Sequence, residues 1–178
     1  VGGSLGARTL NESVMAHLDE LRNSGVQVIW QTGKNYFEDI KSQLAEKSPM
    51  PALKPTDFIA DMGAAYRAAD LVISRAGASS ISEFCLIGKP VILVPSPNVA
   101  EDHQTKNAMA LVNRQAARFV KDAEATEKLI PMALQTVNND QTLAQLSHNI
   151  KQMALRNSAE TIADEVIALA QAHAAKKR

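Results

Sequence analysis

One stretch of the chain combines residue types that bind an anion with one that binds a diol. It reads ISRAGASSISE over residues 73–83 and predicts the end of a buried strand, a loop of small residues and the first turn of a helix. This arrangement aims backbone N–H groups at an anion. Ala78, Ser79 and Ser80 would supply those N–H groups and two hydroxyls. Gly77 would let the backbone approach closely, and the lack of a Walker lysine argues against a phosphoryl-transfer loop.

Glu83 ends this stretch and has two interpretations. In the first, Ser80 and Glu83 form a capping box, in which each side chain satisfies the other residue's backbone N–H. In the second, the Glu83 carboxylate accepts hydrogen bonds from both hydroxyls of a ribose, since an acid repelled by phosphates needs a neutral diol as its partner. The motif by itself favours neither interpretation.

Two further polar segments also precede predicted helices. The opening GGSLGA lacks the dinucleotide-binding spacing, so taken alone it favours an ordinary β–α turn over a phosphate site. In the second segment, Asp102 is the expected N-cap of a helix that runs to about residue 115, and His103 is more typical of a surface residue than of a base. Gln104 and Asn107 share a helical face and could hydrogen-bond sugar hydroxyls.

Other kinds of chemistry find little support in the sequence. The single cysteine, Cys85, lies in an apolar helical run and is predicted to be a small buried side chain. The four histidines are scattered, so no metal-ligand spacing occurs, and no Ser-His-Asp arrangement can be asserted from residue order. We therefore expect no metal site and no tightly bound cofactor.

The elements that must position these residues alternate between strands and helices. Strands are predicted at 26–30, 53–59, 71–73, 91–94 and 118–120. Asp61 is the expected N-cap of a short helix through residue 69. Helices follow from residue 125, with breaks near 139–140 and 156–158. The pattern predicts an α/β fold, a Rossmann-like doubly wound parallel sheet whose loops after the strands share one rim, where ligands bind.

Composition limits the remaining classes. The 178 residues are 46% hydrophobic and 21% charged with a net charge of zero, so we expect one globular domain over 1–178 and no nucleic-acid partner. A single cysteine excludes a disulfide within the chain and favours a cytoplasmic protein, and no apolar run is long enough to span a bilayer. The opening Val1-Gly2-Gly3 looks like a strand entering its turn, so we expect protein upstream of it.

Four motifs together resemble the C-terminal domain of glycosyltransferase family 28. They are GGSLGAR at the start, FIADM at 58–62, SRAGA through Glu83 at 74–83, and DHQ with Asn107 at 102–107. The resemblance covers nearly the whole chain, and it is closest to the bacterial enzymes that make lipid II. These enzymes move N-acetylglucosamine (GlcNAc) from UDP-GlcNAc to undecaprenyl-diphosphate-linked muramyl-pentapeptide. The resemblance implies the C-terminal half of a GT-B fold.

The resemblance also implies a role for each motif in binding UDP-GlcNAc. Phe58, Ile59 and Met62 would surround the uracil, and Glu83 would hold the ribose. The diphosphate would lie against Ser4 and the loop that begins at Gly77. His103, Gln104 and Asn107 would face the sugar. The complete set of implied donor-binding residues is Ser4, Phe58, Ile59, Met62, Gly77, Ala78, Ser79, Ser80, Glu83, His103, Gln104 and Asn107.

Two departures from the family pattern qualify these implications. Leu5 replaces a glutamine often found in the first motif, which leaves Ser4 and the backbone to act. The resemblance also implies an N-terminal domain, outside this sequence, that would carry the general base and the acceptor site. We therefore assign no catalytic residue here and expect this chain to bind donor weakly and catalyse nothing alone. Helices from about residue 143 are expected to pack toward that domain. The full-length protein would lie on the cytoplasmic face of the plasma membrane.

Two alternatives to this function stay open. One is another GT-B enzyme, such as a lipid glycosyltransferase or UDP-GlcNAc 2-epimerase, which shares the fold and the nucleotide. The other is a donor-binding subunit that works only with a membrane-anchored partner. The sequence upstream of Val1 would discriminate among them.

Overall fold

The computed structural model describes residues 1–176, which form five strands and nine α-helices. The strands are β1 (Val28–Gln31), β2 (Leu53–Thr56), β3 (Val72–Ser74), β4 (Val91–Leu93) and β5 (Arg118–Phe119). The helices are α1 (Arg8–Ala16), α2 (Leu18–Asn23), α3 (Phe37–Ala45), α4 (Met62–Ala68), α5 (Ala78–Ile87), α6 (His103–Val112), α7 (Ala125–Val137), α8 (Asp140–Lys151) and α9 (Ser158–Lys176). Short 3-10 turns precede α6 and α7, at Ala100–Asp102 and Asp122–Glu124.

All strand pairs in the described part of the chain are parallel, as the sequence predicts. β1 pairs with β2, and β4 lies between β3 and β5, so the strands form a two-stranded and a three-stranded sheet. We expected one continuous sheet, and the division between β1 and β3 is a difference from that expectation. Val1 is adjacent to β3, where its backbone nitrogen donates to the Ile73 carbonyl at 2.6 Å. A single hydrogen bond from Val1 does not form a strand ladder, so no strand connects β1 to β3.

The gap between the sheets is an apolar cavity of about 650 Å³. It is lined by β1, by β3 and by side chains of α1 and α7 such as Leu10, Val14, Leu129 and Ala133. Gln31 is among the lining residues, and its side-chain oxygen is buried without a hydrogen-bond partner among the described residues. The cavity lies among core elements, and only its margin, at Ile59 and Met62, reaches a predicted site residue.

The core confirms that helices cover both faces of the larger sheet. β4 and the residue after it, Val94, are completely buried. Val91 and Leu93 pack with Phe84 of α5, whereas Ile92 and Val94 pack with Leu129 of α7. Alternate residues of a strand face opposite sides, so a strand buried on both sides is apolar throughout.

Two predicted elements end earlier than the sequence suggested. The helical spacing of Leu10, Val14, Leu18 and Leu21 predicts one helix over 8–21. The structure breaks this helix at His17, whose φ of −119° and ψ of 26° are not helical, and it becomes α1 and α2. The prediction that the second strand extends to Phe58 and Ile59 is wrong, because β2 ends at Thr56. There the Thr56 hydroxyl donates to the Phe58 carbonyl at 2.9 Å, and this local bond turns the chain into a loop.

The C-terminal helices separate into a packed and an exposed part. α8 belongs to this domain, since Leu146 and Ile150 are buried and Ile150 joins the core around Phe84. α9 is exposed, with Ile162 at 64% and Leu169 at 68% of their full accessibility. The prediction that the last helices pack on another domain therefore no longer applies to α8 and stays a prediction for α9 alone. Within residues 1–176 no helix is both long enough and apolar enough to cross a membrane.

Candidate functional site

The candidate site is the edge of the sheets where the strands end, called here the rim. It comprises five loops, at 2–6, 32–36, 57–61, 75–77 and 95–102. Four of them directly follow β1, β2, β3 and β4, and the first precedes α1. Because each sheet is parallel, the carboxyl ends of its strands lie together. Every predicted donor-binding residue lies in the rim or in the helical turns that follow it.

The N-terminus of α5 is the open end of a helix. Its N-cap is Gly77, with an extended φ of −67° and ψ of 143°, and no side chain caps the helix there. The N–H groups of Ala78, Ser79 and Ser80 belong to the first turn, which has no earlier carbonyls to bond. Ala78 and Ser79 are exposed. These donors therefore face solvent at the positive end of the helix dipole.

The capping-box interpretation of Ser80 and Glu83 is wrong. It requires Ser80 to be the N-cap, whereas Ser80 is the third residue of α5. The helix begins earlier because Gly77 is already extended and its carbonyl accepts from the Ile81 N–H at 3.0 Å. Glu83 is exposed, and its Oε2 accepts a hydrogen bond of 3.2 Å from the Tyr66 hydroxyl. Its carboxylate therefore does not cap the helix.

An ion pair fixes the loop between β3 and α5. Arg75 Nη1 donates to Asp122 Oδ1 at 2.5 Å and to the carbonyls of Val94 and Pro95 at 3.1 and 3.2 Å. Asp122 Oδ2 also accepts from the Thr9 hydroxyl of α1 at 3.0 Å. The network joins the ends of β3, β4 and β5 to α1. Sequence reasoning missed it, although an arginine between a buried strand and a loop of small residues was a signal.

Gln104 and Asn107 hold the same loop from the other side. Gln104 Oε1 accepts from the backbone N–H groups of Ser96 at 2.9 Å and Ala76 at 3.2 Å, while Asn107 Nδ2 donates to the Ala76 carbonyl at 3.2 Å. Two N–H donors require an oxygen, so the side-chain orientation of Gln104 is determined. Its Nε2 can only donate. The predicted sugar contacts of both side chains stay predictions beside this structural role.

The head of α6 differs in detail from the expectation. Asp102 occupies the N-cap position, but it has a left-handed φ of 51° and its side chain makes no capping bond. Glu101 has a φ of 52°, so two consecutive non-glycine residues take a conformation that is rare for L-residues. His103 follows in the first turn of α6 and is exposed. Strained backbone of this kind is common at ligand sites.

The loop after β2 presents the residues predicted to surround a base. Phe58 is 49% exposed, Ile59 and Met62 are partly buried, and all three lie next to the start of α4. The N-cap prediction for Asp61 is confirmed, since its Oδ1 accepts from the Ala64 N–H at 2.8 Å. The cap fixes the position of α4 and therefore of Met62 and the loop before it.

The glycine-rich turn packs backbone against backbone on the loop after β1. Ser4 is exposed, and its carbonyl accepts from the Lys34 N–H at 3.2 Å. Gly33 has a φ of +84°, and a Cβ added to it would lie 2.1 Å from the Gly6 nitrogen. Only glycine fits this approach, which brings Ser4 to the rim. Leu5, the departure from the family pattern, is 64% exposed.

Other chemistry has no arrangement in the described residues to support it. No group of three or more His, Cys, Asp or Glu side chains among residues 1–176 could hold a metal ion. Cys85 is buried in the core, and its burial raises the pKa of the thiol, which fits the prediction of a small apolar side chain.

The fold and the rim define a Rossmann-like α/β domain with an open helix N-terminus at the strand ends. The family model described as "Glycosyltransferase family 28 C-terminal domain" matches residues 1–162. The chain belongs to this family.

Similar proteins agree with that assignment. A "UDP-N-acetylglucosamine--N-acetylmuramyl-(pentapeptide) pyrophosphoryl-undecaprenol N-acetylglucosamine transferase" of Bacteroides fragilis is 62% identical over 96% of this chain and 45% of its own length. A protein of the same name from Cytophaga hutchinsonii is 53% identical over 93% of this chain and 44% of its own length. The crystal structure of Acinetobacter baumannii MurG has a TM-score of 0.78 at 31% identity, and the match covers 94% of this chain and 50% of MurG. The chain thus spans about half the length of these relatives.

Proposed function

We propose that this chain is the donor-binding domain of an inverting transferase that adds GlcNAc from UDP-GlcNAc to undecaprenyl-diphosphate-linked muramyl-pentapeptide, making lipid II. The family assignment and the names of its relatives support the proposal. The observation that carries it is the open N-terminus of α5 at the end of β3, with Glu83 four residues after Ser79 of the first turn. Four residues advance a helix by about 6 Å, or roughly one turn. The spacing suits a diphosphate at the helix end and its ribose one turn on.

Charge supports the same division of roles. The N–H groups of Ala78, Ser79 and Ser80 and the α5 dipole favour the diphosphate, and Ser4 adds a hydroxyl at the same rim. Side chains of a helix lean toward its N-terminus, so the Glu83 carboxylate leans toward the bound nucleotide. Because these groups offset the diphosphate charge, we expect binding to need no metal ion and no tightly bound cofactor.

The reaction would be a direct displacement at the anomeric carbon. The 4-hydroxyl of the muramyl sugar attacks, the bond to the UDP oxygen breaks, and the configuration inverts. Negative charge grows on the departing UDP, where the first turn of α5 stabilises it without reorganisation. The general base and the acceptor site belong to a second domain, so this chain alone binds donor weakly and is inactive. The complete enzyme would act at the cytoplasmic membrane surface, where its lipid substrate lies.

Calorimetric titration with UDP-GlcNAc, UDP-glucose and UDP tests the proposal. Glu83→Ala should weaken UDP binding by about tenfold or more, because hydrogen bonds to a charged group contribute about 1.5–3 kcal/mol. Glu46→Ala is a matched control, since Glu46 is exposed at the far end of α3 from the rim. If Glu83→Ala folds normally and binds UDP as well as the unmodified chain, the ribose role is wrong. Equal affinities for UDP-GlcNAc and UDP would show that the predicted sugar contacts are wrong.

A further inference from the structure

The Tyr66 side chain links α4 to the acid that the proposed function assigns to the ribose. Its hydroxyl donates to Glu83 Oε2 at 3.2 Å, across 17 residues of sequence. Glu83 is otherwise an exposed side chain on the surface of α5. A free glutamate has several rotamers, and fixing one costs up to about 2 kcal/mol of side-chain entropy. A second contact that restricts Glu83 before a ligand arrives would remove part of that cost.

Packing holds the Tyr66 ring in place. The ring meets Phe84 edge to face, with ring centres 5.6 Å apart and planes at 81°. Phe84 is completely buried and adjoins Glu83 in the chain. The Tyr66 ring thus rests on a residue that cannot move without disturbing the core, so its hydroxyl is a donor of fixed position.

The hydroxyl also keeps its proton. Partial burial and then the neighbouring Glu83 charge and hydrogen bond raise the pKa of Tyr66 to about 12. At neutral pH it therefore remains a donor to the carboxylate. An ionised carboxylate has about four lone-pair sites. Tyr66 uses one, and two ribose hydroxyls would use two more, so Tyr66 and a ribose do not compete.

We propose that Tyr66 is a positioning residue that presents the Glu83 carboxylate to the two ribose hydroxyls of a nucleoside diphosphate. The proposal rests on the proposed function, which supplies the ribose. A merely structural role for Tyr66, joining α4 to α5, would alter stability and leave recognition of the ribose unchanged. Recognition must therefore be measured separately from stability.

Calorimetry with UDP and 2′-deoxy-UDP makes this separation. The unmodified chain should prefer UDP by about tenfold, the worth of one hydrogen bond to a charged group. Tyr66→Phe keeps the ring on Phe84 and removes only the hydroxyl, and it should reduce that preference to about threefold or less. Its affinity for 2′-deoxy-UDP should change much less, which also shows that the variant is folded. Ser147→Ala removes a hydroxyl that donates to the Gly88 carbonyl at the other end of α5, away from the rim, and should leave the preference unchanged.

Each outcome decides one question. If the unmodified chain binds both nucleotides equally, Glu83 does not bind the 2′-hydroxyl, and the assignment of both ribose hydroxyls to Glu83 in the proposed function is wrong. If it prefers UDP and Tyr66→Phe keeps the full preference, the positioning role is overturned while the proposed function stands. Glu83→Gln adds an independent measurement, because a neutral amide should lose most of the preference whether or not Tyr66 is present. Tyr66→Phe should therefore have no further effect in the Glu83→Gln background, and an additive effect would also refute the proposal.

Discussion

Replacing Asp122 by asparagine tests the ion pair that holds the loop between β3 and α5. Arg75 and Asp122 are 17% and 20% exposed, so water screens the pair only weakly. The substitution keeps the shape of the side chain but removes its charge, so an ion pair becomes a hydrogen bond from a cation to a neutral amide oxygen, and the Thr9 hydroxyl, which donates to Asp122 Oδ2, must accept from the amide nitrogen instead. That difference is about 1–2 kcal/mol, and the weakened compensation of a partly buried guanidinium adds to it. We expect a loss of about 2 kcal/mol in the free energy of unfolding and a fall of about 4–8 °C in Tm.

Urea unfolding followed by Trp30 fluorescence measures this loss. Trp30 is the only tryptophan of the chain and is 5% exposed, so its emission reports the core. The midpoint should fall with an unchanged slope. Asp19→Asn is the matched control, because Asp19 pairs with Arg22 at the surface and is 88% exposed. If Asp122→Asn costs no more than Asp19→Asn, the ion pair does not hold the rim.

Three further predictions concern the rim and its supports. Gly33→Ala should lower the free energy of unfolding by more than about 3 kcal/mol, because its Cβ would meet the Gly6 backbone. Gly25→Ala should lower it by about 1 kcal/mol, since Gly25 also has a positive φ but has open space around it. Chemical unfolding measures both. Gln104→Glu keeps the oxygen that accepts from the loops and replaces the outward N–H donor, so calorimetry should show a reduced preference for UDP-GlcNAc over UDP with little change in stability. The raised pKa of Tyr66 means that the folded chain holds this proton more tightly than the unfolded chain, so its contribution is complete below pH 10 and is lost between about pH 10 and 12. Unfolding at these pH values should show this loss, of no more than about 1 kcal/mol for a partly exposed group, in the unmodified chain and not in Tyr66→Phe.

Opposite results would separate these explanations. Equal costs at Gly33 and Gly25 would mean that the two loops do not pack as closely as the structure places them. A Gln104→Glu variant with an unchanged preference would leave that side chain a purely structural role. An identical alkaline response of the unmodified chain and Tyr66→Phe would remove the Tyr66 hydroxyl from the stabilising contacts of α4 and α5.

Local patterns predicted most of the fold because their causes are local. A continuous run of aliphatic residues such as 91–94 predicts a strand buried on both faces, and the small residues at 76–80 leave an open helix start. The capping box failed for a related reason. Residues 80–83 match the capping-box pattern, but the N-cap is Gly77, three residues before Ser80. A motif gives a residue pattern and not the position of the first turn.

The supports of the rim were missed because they join distant residues. Arg75 lies 47 residues from Asp122, and Gln104 lies 28 from Ala76. The position of Arg75 after a buried strand suggests that it has a partner, but the sequence does not identify the partner of either residue, since each pairing depends on how the loops of different strands meet. The sequence placed Gln104 at the rim and assigned it to a sugar, while the structure adds that half of its amide is already used. The undivided sheet was also a non-local expectation, and β1 and β3 do not meet.

Amide NMR of the 178-residue chain during titration with UDP-GlcNAc tests the central claim most directly. The first turn of α5 should respond most, with saturable shifts of the Ala78, Ser79 and Ser80 amides and a separate shift at Ile59 in the loop after β2. These shifts should share one dissociation constant, and UDP alone should reproduce them. Saturable shifts confined to the apolar cavity between the sheets, with the three α5 amides unmoved, would contradict the account.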